Sequence, residues 1–506
     1  MLKPFAAVCL AATFATTAAM AEPKTSVTVA APWEIASYDP TVAGFVIQAL
    51  QVMENLVDAD ETGALRPALA TKWDMSDDGL TWTFTLRDGV TFHDGSAFNA
   101  QAAASALNRA WKQPGVLQKA PITAIKADAG KIIITVSESF TALPSLMAHA
   151  TTIIPAPSAF DAEGTPSALI GTGPFSVSAF TPPQSISLAR NEAYWGENAT
   201  LETATYLAAG RAETRALLAE SGDADVVFTL DPSGFSHLQH VDSIETAAVA
   251  IPRVVVLKVN AGHAFFDDAR ARKALSLAIP REGIAKAITR FPDSAATQLF
   301  PPVLHDWHSQ DLAPLKTVLE QAKALLADLG WAMGEDGILM RDGERFSIQL
   351  RTFPDRPELP LIAAALQDTW RELGIEVDVS VSNYSEIPAG HKDGSLHVAL
   401  FARNYGLTPD PIGTILQDFG PNGGDWGAMG WTNDEAAKAL QVIASTADPD
   451  LRQESIAKVA GILYQDLPVI PVAWYQHTVS INKDLGGVII DPLQRSYGLS
   501  TMFWNE

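Results

Sequence analysis

Three adjacent polar residues, Arg403, Asn404 and Tyr405, have side chains suited to binding a ligand. They follow an alternating apolar run at 397–400 and precede a turn rich in glycine and proline, which is typical of a strand that delivers side chains to the rim of a sheet. An arginine offers five donors in a fixed fork, which suits a carboxylate rather than an amine. The stretch therefore predicts a site for an anionic group. Two alternatives stay open: a surface salt bridge for Arg403 and core packing for Tyr405.

The sequence lacks the usual catalytic signatures. It contains no G-x-S-x-G, no Walker loop and no H-E-x-x-H. Ser455 and Lys458 match S-x-x-K, but without a K-T-G element the pair is interpreted as an ordinary helix face. Two H-x-x-H pairs, 237/240 and 305/308, supply two nitrogens each and are interpreted as solvated loop histidines. We therefore expect no catalytic residue, no metal site and no cofactor. An exported hydrolase of peptides or esters is kept as the alternative.

The first 21 residues have the composition of a secretory signal peptide. Lys3 gives a positive start, residues 5–17 form an apolar core, and residues 19–21 read as a small-x-small cleavage site. The only cysteine, Cys9, falls inside this segment, so the mature chain is expected to form no disulfide. No later stretch approaches the apolar length that a bilayer requires. These observations predict an exported, periplasmic protein.

Charge and length limit the classes of partner and fold. The formal net charge of −23 argues against nucleic acid and anionic membrane surfaces as partners. A chain of 506 residues, 47% of them hydrophobic, can bury a sizeable core, and its length favours two or three domains.

Local patterns place strands and helices along the chain. Alternation at Thr81–Leu86, followed by Asp88-Gly89 and by 90–92, predicts a β-hairpin with Trp82, Phe84 and Leu86 on one face. Asn99 is expected to cap an alanine-rich helix. Strand and helix then alternate through the second half, which predicts a largely parallel α/β sheet. The strands expected there are 251–259, 346–351, 375–381 and 469–481, with helices at 317–329, 360–373 and 449–465.

Five stretches together resemble the signatures of the extracellular solute-binding proteins of family 5, the peptide- and nickel-type receptors of ABC importers. They occur in the order of that family and span nearly the whole mature chain. The stretches are PALATKWDMSDDGLTWTFTLRDGVTFHDGSAFNA at 67–100, GTGPF with NEAYWG at 171–175 and 191–196, ARKALSLAIPRE at 271–282, QAKALLADLGW at 321–331 and MGWTNDEAAKAL at 429–440.

The resemblance implies a two-lobed α/β fold of the periplasmic-binding-protein type, class II and cluster C, with an extra domain packed on lobe one. The strands 253–260 and 470–481 would join the lobes as a hinge, because a few residues can absorb a closure angle. The implied limits are 22–55, 170–255 and 474–506 for lobe one, 56–169 for the extra domain and 256–473 for lobe two.

The resemblance also implies a function without chemistry. Such a receptor is a monomer that closes on a small-molecule or peptide ligand and delivers it to the transmembrane subunits of an ABC permease, since a ligand stabilises the closed form through its higher affinity for it. Peptide-binding members commonly place an acid just before the Asp-Pro that corresponds to Asp410-Pro411, and no acid stands there in this chain. The loop is more similar to the metal-chelate branch, in which Tyr405 would be a pocket aromatic.

Six other residues are implied as pocket candidates. His149 stands ahead of APSAF, where the nickel branch has an arginine. Aromatic side chains at such places can cover a peptide side chain or the organic skeleton of a chelate. The aromatic candidates are Trp33, Tyr38, Trp426, Trp474 and Tyr475. The expected ligand is a short peptide or a carboxylate-rich metal chelate of the nickel or opine type.

Overall fold

The computed structural model describes residues 24–113, 115–354, 356–420 and 424–505, so the predicted signal peptide at 1–21 lies outside the described residues. The strands are β1 (Ser26–Ala31), β2 (Val57–Ala59), β3 (Leu65–Pro67), β4 (Ala70–Met75), β5 (Thr81–Leu86), β6 (Ile122–Asp128), β7 (Lys131–Val136), β8 (Phe175–Thr181), β9 (Ser185–Arg190), β10 (Thr203–Ala208), β11 (Val226–Phe228), β12 (Ile244–Val259), β13 (Ala332–Met333), β14 (Leu339–Arg341), β15 (Glu344–Arg345), β16 (Ser347–Thr352), β17 (Glu376–Val381), β18 (Val398–Asn404), β19 (Val469–Asn482), β20 (Leu485–Gly486) and β21 (Phe503–Trp504).

The α-helices of the same ranges are α1 (Pro40–Ala49), α2 (Ala100–Lys112), α3 (Leu143–Leu146), α4 (Ala212–Ser221), α5 (Pro232–Leu238), α6 (Ala269–Leu277), α7 (Arg281–Ile284), α8 (Leu319–Asp328), α9 (Glu358–Glu372), α10 (Glu386–Asp393), α11 (Ile412–Phe419), α12 (Asp434–Ser445) and α13 (Pro449–Asp466). Within the described ranges, no helix has both the length and the apolar character to cross a membrane.

Ten strands form one mixed sheet in the order β17-β16-β18-β12-β19-β11-β1-β10-β9-β8. Strand β16 is parallel to β17 and β18, and β1 is parallel to β10 and β11. The long strands β12 and β19 are antiparallel to each other and join these two parallel groups. The predicted parallel sheet is thus found as two separate groups. The prediction missed the antiparallel strands between the groups and at the β8–β9 edge.

The pairing of β12 with β19 is interrupted halfway along. Three residues of β12, 251–253, face a single residue of β19, Tyr475. Pro252 has no N–H to donate to this ladder, and its carbonyl accepts from the backbone N–H of Tyr405 at 2.7 Å. A bulge of this kind bends the strand and increases its twist. It therefore changes the direction of β12 where the strand passes from one parallel group to the other.

A second, four-stranded antiparallel sheet has the order β4-β5-β7-β6. The predicted shared face of Trp82, Phe84 and Leu86 is confirmed, because all three are buried in β5. The predicted hairpin is wrong, since β5 pairs with β4 and β7. The segment 90–98 forms its own turn instead. In it, the N–H of Phe98 donates to the Val90 carbonyl, and the N–H of Phe92 donates to the Ser96 carbonyl.

The predicted helix cap and two of the elements predicted in the second half are confirmed. Asn99 caps α2, as predicted, and its side-chain oxygen accepts from the Ala102 N–H at 3.0 Å. The helix expected at 449–465 is α13, and the strand expected at 469–481 is β19. These elements have caps or long apolar runs in their own sequence, so local signals suffice to define them.

Among the residues that the structure describes, the buried apolar side chains form two large cores and one small one. One large core contains side chains from 56–156 together with side chains from 254–474. The other contains side chains from 27–53, 169–228 and 479–502, together with Ile153. The segment assigned to the extra domain therefore shares apolar contacts with the 254–474 side. The domain limits and the hinge role of β12 and β19 stay predictions.

The GTGPF stretch packs directly on the end of α1. A Cβ on Gly171 would collide with the carbonyl oxygen of Val52, and a Cβ on Gly173 would collide with the carbonyl oxygen of Gln51. The two glycines are therefore needed for the close approach of two backbone segments.

Glu54, just after this contact, joins the two parts of one signature stretch. Its carboxylate accepts from Thr172 Oγ1 at 2.7 Å, Trp195 Nε1 at 2.9 Å and Tyr194 Oη at 3.0 Å. Burial raises the pKa of Glu54 to about 7, and the three donors offset part of that effect. GTGPF and NEAYWG are thus held together through one carboxyl group.

Replacing Glu54 by Gln should reduce the pH dependence of stability. A carboxyl whose pKa is higher in the folded state binds more protons there, so wild-type stability should fall as pH rises from about 4.5 to about 7, by roughly 3 kcal/mol from this group. An amide does not ionise, so Glu54→Gln should lack this loss. Urea unfolding at several pH values measures it, with the exposed Glu61→Gln as control. Equal pH slopes for wild type and Glu54→Gln would contradict the assignment.

Candidate functional site

The carboxyl ends of the two parallel groups lie towards the middle of β12 and β19. Strand β18 ends with Asn404 paired to Arg253 of β12, and β11 ends with Phe228 paired to Val479 of β19. In open α/β sheets, ligands bind outside the carboxyl ends of the strands. The region between the ends of β16–β18 and the ends of β1, β10 and β11 is therefore the candidate site, and we call it the cleft.

Arg403 lies at the cleft end of β18 and pairs with Asp418 of α11. The Nε and Nη2 groups of Arg403 donate to the two carboxylate oxygens, both at 2.6 Å. The Asp418 side chain is 1% exposed and that of Arg403 is 14% exposed. The salt-bridge alternative is thus correct as to the bond, but the pair is buried rather than on the surface. Because the Nη1 group takes no part in it, the end of the fork can still donate to another group.

Two further cations lie near the same carboxylate. Burial raises the pKa of Asp418, while the charges of Arg403, Lys258 and Lys119 lower it. Lys258 belongs to β12, and Lys119 belongs to the 56–169 segment. The amine of Lys119 donates to Oε1 of Gln417, the neighbour of Asp418 in α11, at 2.9 Å. We call Asp418, Arg403, Lys258 and Lys119 the Asp418 cluster. Burial lowers the pKa of Lys258 to about 7, so this amine is only partly charged at neutral pH. Arg403 and Lys119 together with this partial charge still exceed the single charge of Asp418, so the cluster favours an additional anionic group.

His149 lies beside this cluster as a neutral ring. Burial and the charge of Lys119 lower the pKa of His149 to about 4. Its Nδ1 accepts from the Thr151 N–H at 3.1 Å, which leaves the proton on Nε2. The ring can therefore donate one hydrogen bond at neutral pH.

Asn404 and Tyr405 are held in the structure of the loop. The Asn404 side-chain oxygen accepts from the Gly406 N–H at 2.8 Å. Tyr405 is 1% exposed and contacts Phe300 edge to face, with ring centroids 5.4 Å apart. This burial agrees with the core-packing alternative for Tyr405.

The other aromatic candidates divide between the two sides of the cleft. Trp33 and Tyr38 follow β1 and pack edge to face on Phe45 and Phe180. Trp426 packs on Phe401 of β18 in the same way, at 5.0 Å.

The two hinge-strand candidates differ in burial. Trp474 is buried and donates to the Gln298 carbonyl at 3.2 Å, as a core side chain would. Tyr475 is half-buried at the bulge, where the guanidinium groups of Arg253 and Arg356 lie 5.6 and 5.3 Å from its ring centre.

Sequence reasoning missed most of the charged residues in the cleft. In RVVVLKV, Arg253 begins the apolar run and Lys258 interrupts it. These charges are the signal that could have found both residues, because a charge in a buried strand needs a partner. Asp418 and Lys119 each stand singly in short stretches, ILQDF and VLQKA, that contain no opposite charge to indicate a partner. Only the fold brings these two residues to Arg403.

The described residues contain no group of three or more His, Cys, Asp or Glu side chains that could hold a metal ion. Of the H-x-x-H pairs, His237 pairs with Glu220 and His308 bonds to the Phe300 carbonyl. In the S-x-x-K match, Ser455 bonds to the Leu451 carbonyl and Lys458 pairs with Glu435. Each of these motifs has a local bonding role.

Comparison with known proteins identifies the family. The family model of bacterial extracellular solute-binding proteins, family 5 Middle, matches residues 64–426. The chain belongs to this family. The resemblance found in the signature stretches is confirmed.

Members with known binding roles match nearly the whole chain. The nickel-binding periplasmic protein of Escherichia coli K12 is 27% identical over 459 residues, which cover 87% of each chain. The dipeptide-binding protein of the same organism is 23% identical over 467 residues, which cover 85% of each chain. The crystal structure of NikA from Brucella suis in complex with Fe(III)-EDTA aligns with a TM-score of 0.85 at 21% identity, covering 95% of this chain and 100% of that one.

These matches confirm the predicted two-lobed α/β periplasmic-binding-protein fold. The family member described here is a solute-binding component of an ABC importer, which binds a small molecule or peptide and delivers it to permease subunits. The family consists of binding proteins, and none of the relatives supports the hydrolase alternative.

Proposed function

We propose that this family member captures a carboxylate-bearing metal chelate in the cleft and delivers it, from the periplasm, to an ABC permease. The observation that carries the proposal is the composition of the Asp418 cluster. The charges of Arg403, Lys119 and, in part, Lys258 act on one carboxylate, and the Nη1 group of Arg403 takes no part in the ion pair. Asp418 fixes the guanidinium, and the end of the fork donates to a carboxylate of the ligand.

The charge of the cluster favours a chelate over a bare metal ion. Arg403, Lys258 and Lys119 repel a free cation, whereas the organic ligand of a chelate supplies carboxylates that they attract. Likeness to a nickel-binding protein and to a structure that contains Fe(III)-EDTA supports the same choice.

A short peptide is the second candidate. The likeness to a dipeptide-binding protein favours it, and a peptide carboxylate suits the same cations. Against it stands the stretch 403–409, which contains no acid to pair with an α-ammonium group.

The proposal includes the predicted organisation. Cleavage after residue 21 releases a monomer with two lobes that close about β12 and β19. Lobe one consists of residues 22–55, 170–255 and 474–506, and lobe two consists of residues 256–473. The carboxylate binds Arg403 and Lys119, His149 donates through Nε2, and Trp33, Tyr38, Trp426 and Tyr475 cover the organic part. Trp474 and Tyr405 act as packing supports, and Asn404 shapes the loop.

Thermal unfolding of the purified mature chain tests the ligand class. Fe(III)-EDTA or Ni(II) with L-histidine should raise the midpoint, with a stabilisation of about 2.7 kcal/mol at a hundredfold excess over the Kd. Ni(II) alone should leave the midpoint unchanged, since the cluster repels a bare cation. Dipeptides serve as the comparison. A shift with dipeptides and none with chelates would overturn the chelate in favour of the peptide.

A further inference from the structure

Lys258 is fully buried in β12, and its ammonium group makes three hydrogen bonds. It donates to His391 Nδ1 at 2.5 Å, to the Asp425 carbonyl at 2.7 Å and to the Gly424 carbonyl at 3.3 Å. An ammonium group has three donors, and here each has an acceptor. Two of the acceptors are backbone atoms of one loop, so Lys258 fixes the position of that loop against the sheet.

The same loop, residues 424–427, packs against α11 by close backbone contact. A Cβ on Gly427 would collide with the backbone of Asp418, and a Cβ on Gly424 would collide with the carbonyl of Gln417. The N–H of Ala428, the next residue, donates to the Asp418 carbonyl at 2.8 Å. The loop therefore adjoins the residue that orients Arg403.

The loop also places Trp426. In the pairing of β12 with β18, Lys258 pairs with Ala399, and Val256 pairs with Phe401, so Lys258 and Phe401 lie on one face of the sheet. Trp426 packs edge to face on Phe401 at 5.0 Å. The amine of Lys258 and the indole of Trp426 thus belong to one packed unit on the face that carries Arg403.

We propose that Lys258 is a positioning residue, which clamps the loop 424–427 so that Trp426 and Asp418 keep their places beside the bound chelate. This inference rests on the proposed function for the identity of the ligand. The clamp itself is a property of the ligand-free chain. Its role differs from the attraction of anions by a third cation, because it requires directed hydrogen bonds to the loop.

Fluorine NMR of the chain labelled with 5-fluorotryptophan tests the clamp without any ligand. The signal of Trp426 is assigned by its loss in Trp426→Phe. In Lys258→Met, which keeps the length of the side chain, this signal should shift or broaden while those of Trp370 and Trp307, buried elsewhere, keep their positions. The control is Lys323→Met, which removes an exposed lysine that pairs with Glu320. An unchanged Trp426 signal in Lys258→Met would overturn the proposal.

Titration calorimetry with Fe(III)-EDTA, or with Ni(II) and L-histidine, measures the consequence for binding. Lys258→Met should weaken binding about tenfold, as expected when buried acceptors lose their donor. Trp426→Leu should weaken binding too. The fold-loss of affinity in the double variant should be smaller than the product of the two single-variant losses, since both residues act through one loop. Fully multiplicative losses would mean that Lys258 acts by its charge alone, which would overturn the clamp.

Chemical rescue checks that the amine itself is required. The chain from residue 22 onward contains no cysteine, so a cysteine at position 258 can be alkylated alone. The Lys258→Cys variant is unfolded, its thiol is alkylated with 2-bromoethylamine, and the chain is refolded. The modified side chain then ends in an amine at nearly the distance from the backbone that lysine gives. The Trp426 signal and the affinity should both return, and a failure of the refolded, modified chain to restore the signal would count against the clamp. If no chelate binds the wild type, the proposed function fails, while the NMR result still decides the clamp.

Discussion

Arg403→Ala is expected to abolish most of the chelate binding, with a loss of affinity of about 100-fold or more. Two effects add. The ligand carboxylate loses a charge-assisted donor, and the buried Asp418 becomes an unpaired charge that repels it. Removing one partner of a buried charged pair typically costs 2–5 kcal/mol. Titration calorimetry with Fe(III)-EDTA gives the ratio of Kd values.

Companion variants separate recognition from folding. Arg403→Lys keeps the charge but has no fork, so it should recover only a small part of the affinity. Arg403→Ala combined with Asp418→Asn removes both charges and should fold more stably than Arg403→Ala alone, while binding stays weak. Arg345→Ala, which removes an exposed arginine paired with Asp336, is the matched control. Wild-type affinity in Arg403→Ala would remove Arg403 from the site.

Gly173→Ala is expected to destabilise the fold by about 3 kcal/mol or more. The added methyl group would collide with the carbonyl of Gln51, and a shift of either backbone segment would disturb the bond that Thr172 donates to Glu54. Urea unfolding followed by circular dichroism measures the change in the free energy of unfolding.

A second glycine gives the opposite expectation. Gly461 lies inside α13, and a Cβ there would have no atom within 4 Å. Gly461→Ala should therefore stabilise the chain by about 0.5–1 kcal/mol, since alanine loses less backbone freedom in a helix. If both substitutions had similar small effects, the close approach at Gly173 would not be a real constraint.

The sequence predicts those features whose causes are local. Asn99 caps α2 because its side chain reaches the first turn of its own helix, and the alternation of Trp82, Phe84 and Leu86 reports one buried face. The partner of a strand is not a local property. The turn at Asp88-Gly89 therefore suggested a hairpin, although β5 is a central strand between β4 and β7.

The cleft shows the same division. Arg403 was found because it ends a recognisable strand. Its partner Asp418 lies 15 positions further on, in a helix whose own pattern marks the acid as an ordinary polar residue. Lys119 comes from a segment almost 300 positions away from Gln417, its bonding partner. Contacts of this kind depend on how the chain is folded, and no local pattern records them.

The interruption between β12 and β19 also sets where amide hydrogens can exchange with solvent. The paired residues on both sides should protect their N–H groups for as long as the sheet stays intact, although a second register shift follows between Val255 and Val256. At residues 251–253 three residues share one opposite neighbour, and Pro252 contributes no amide at all. The N–H of Tyr405, which donates to the Pro252 carbonyl, then becomes the natural reporter of this point. A ligand that holds the lobes together should slow its deuterium uptake, while amides deep in β1 or β16 should hardly respond.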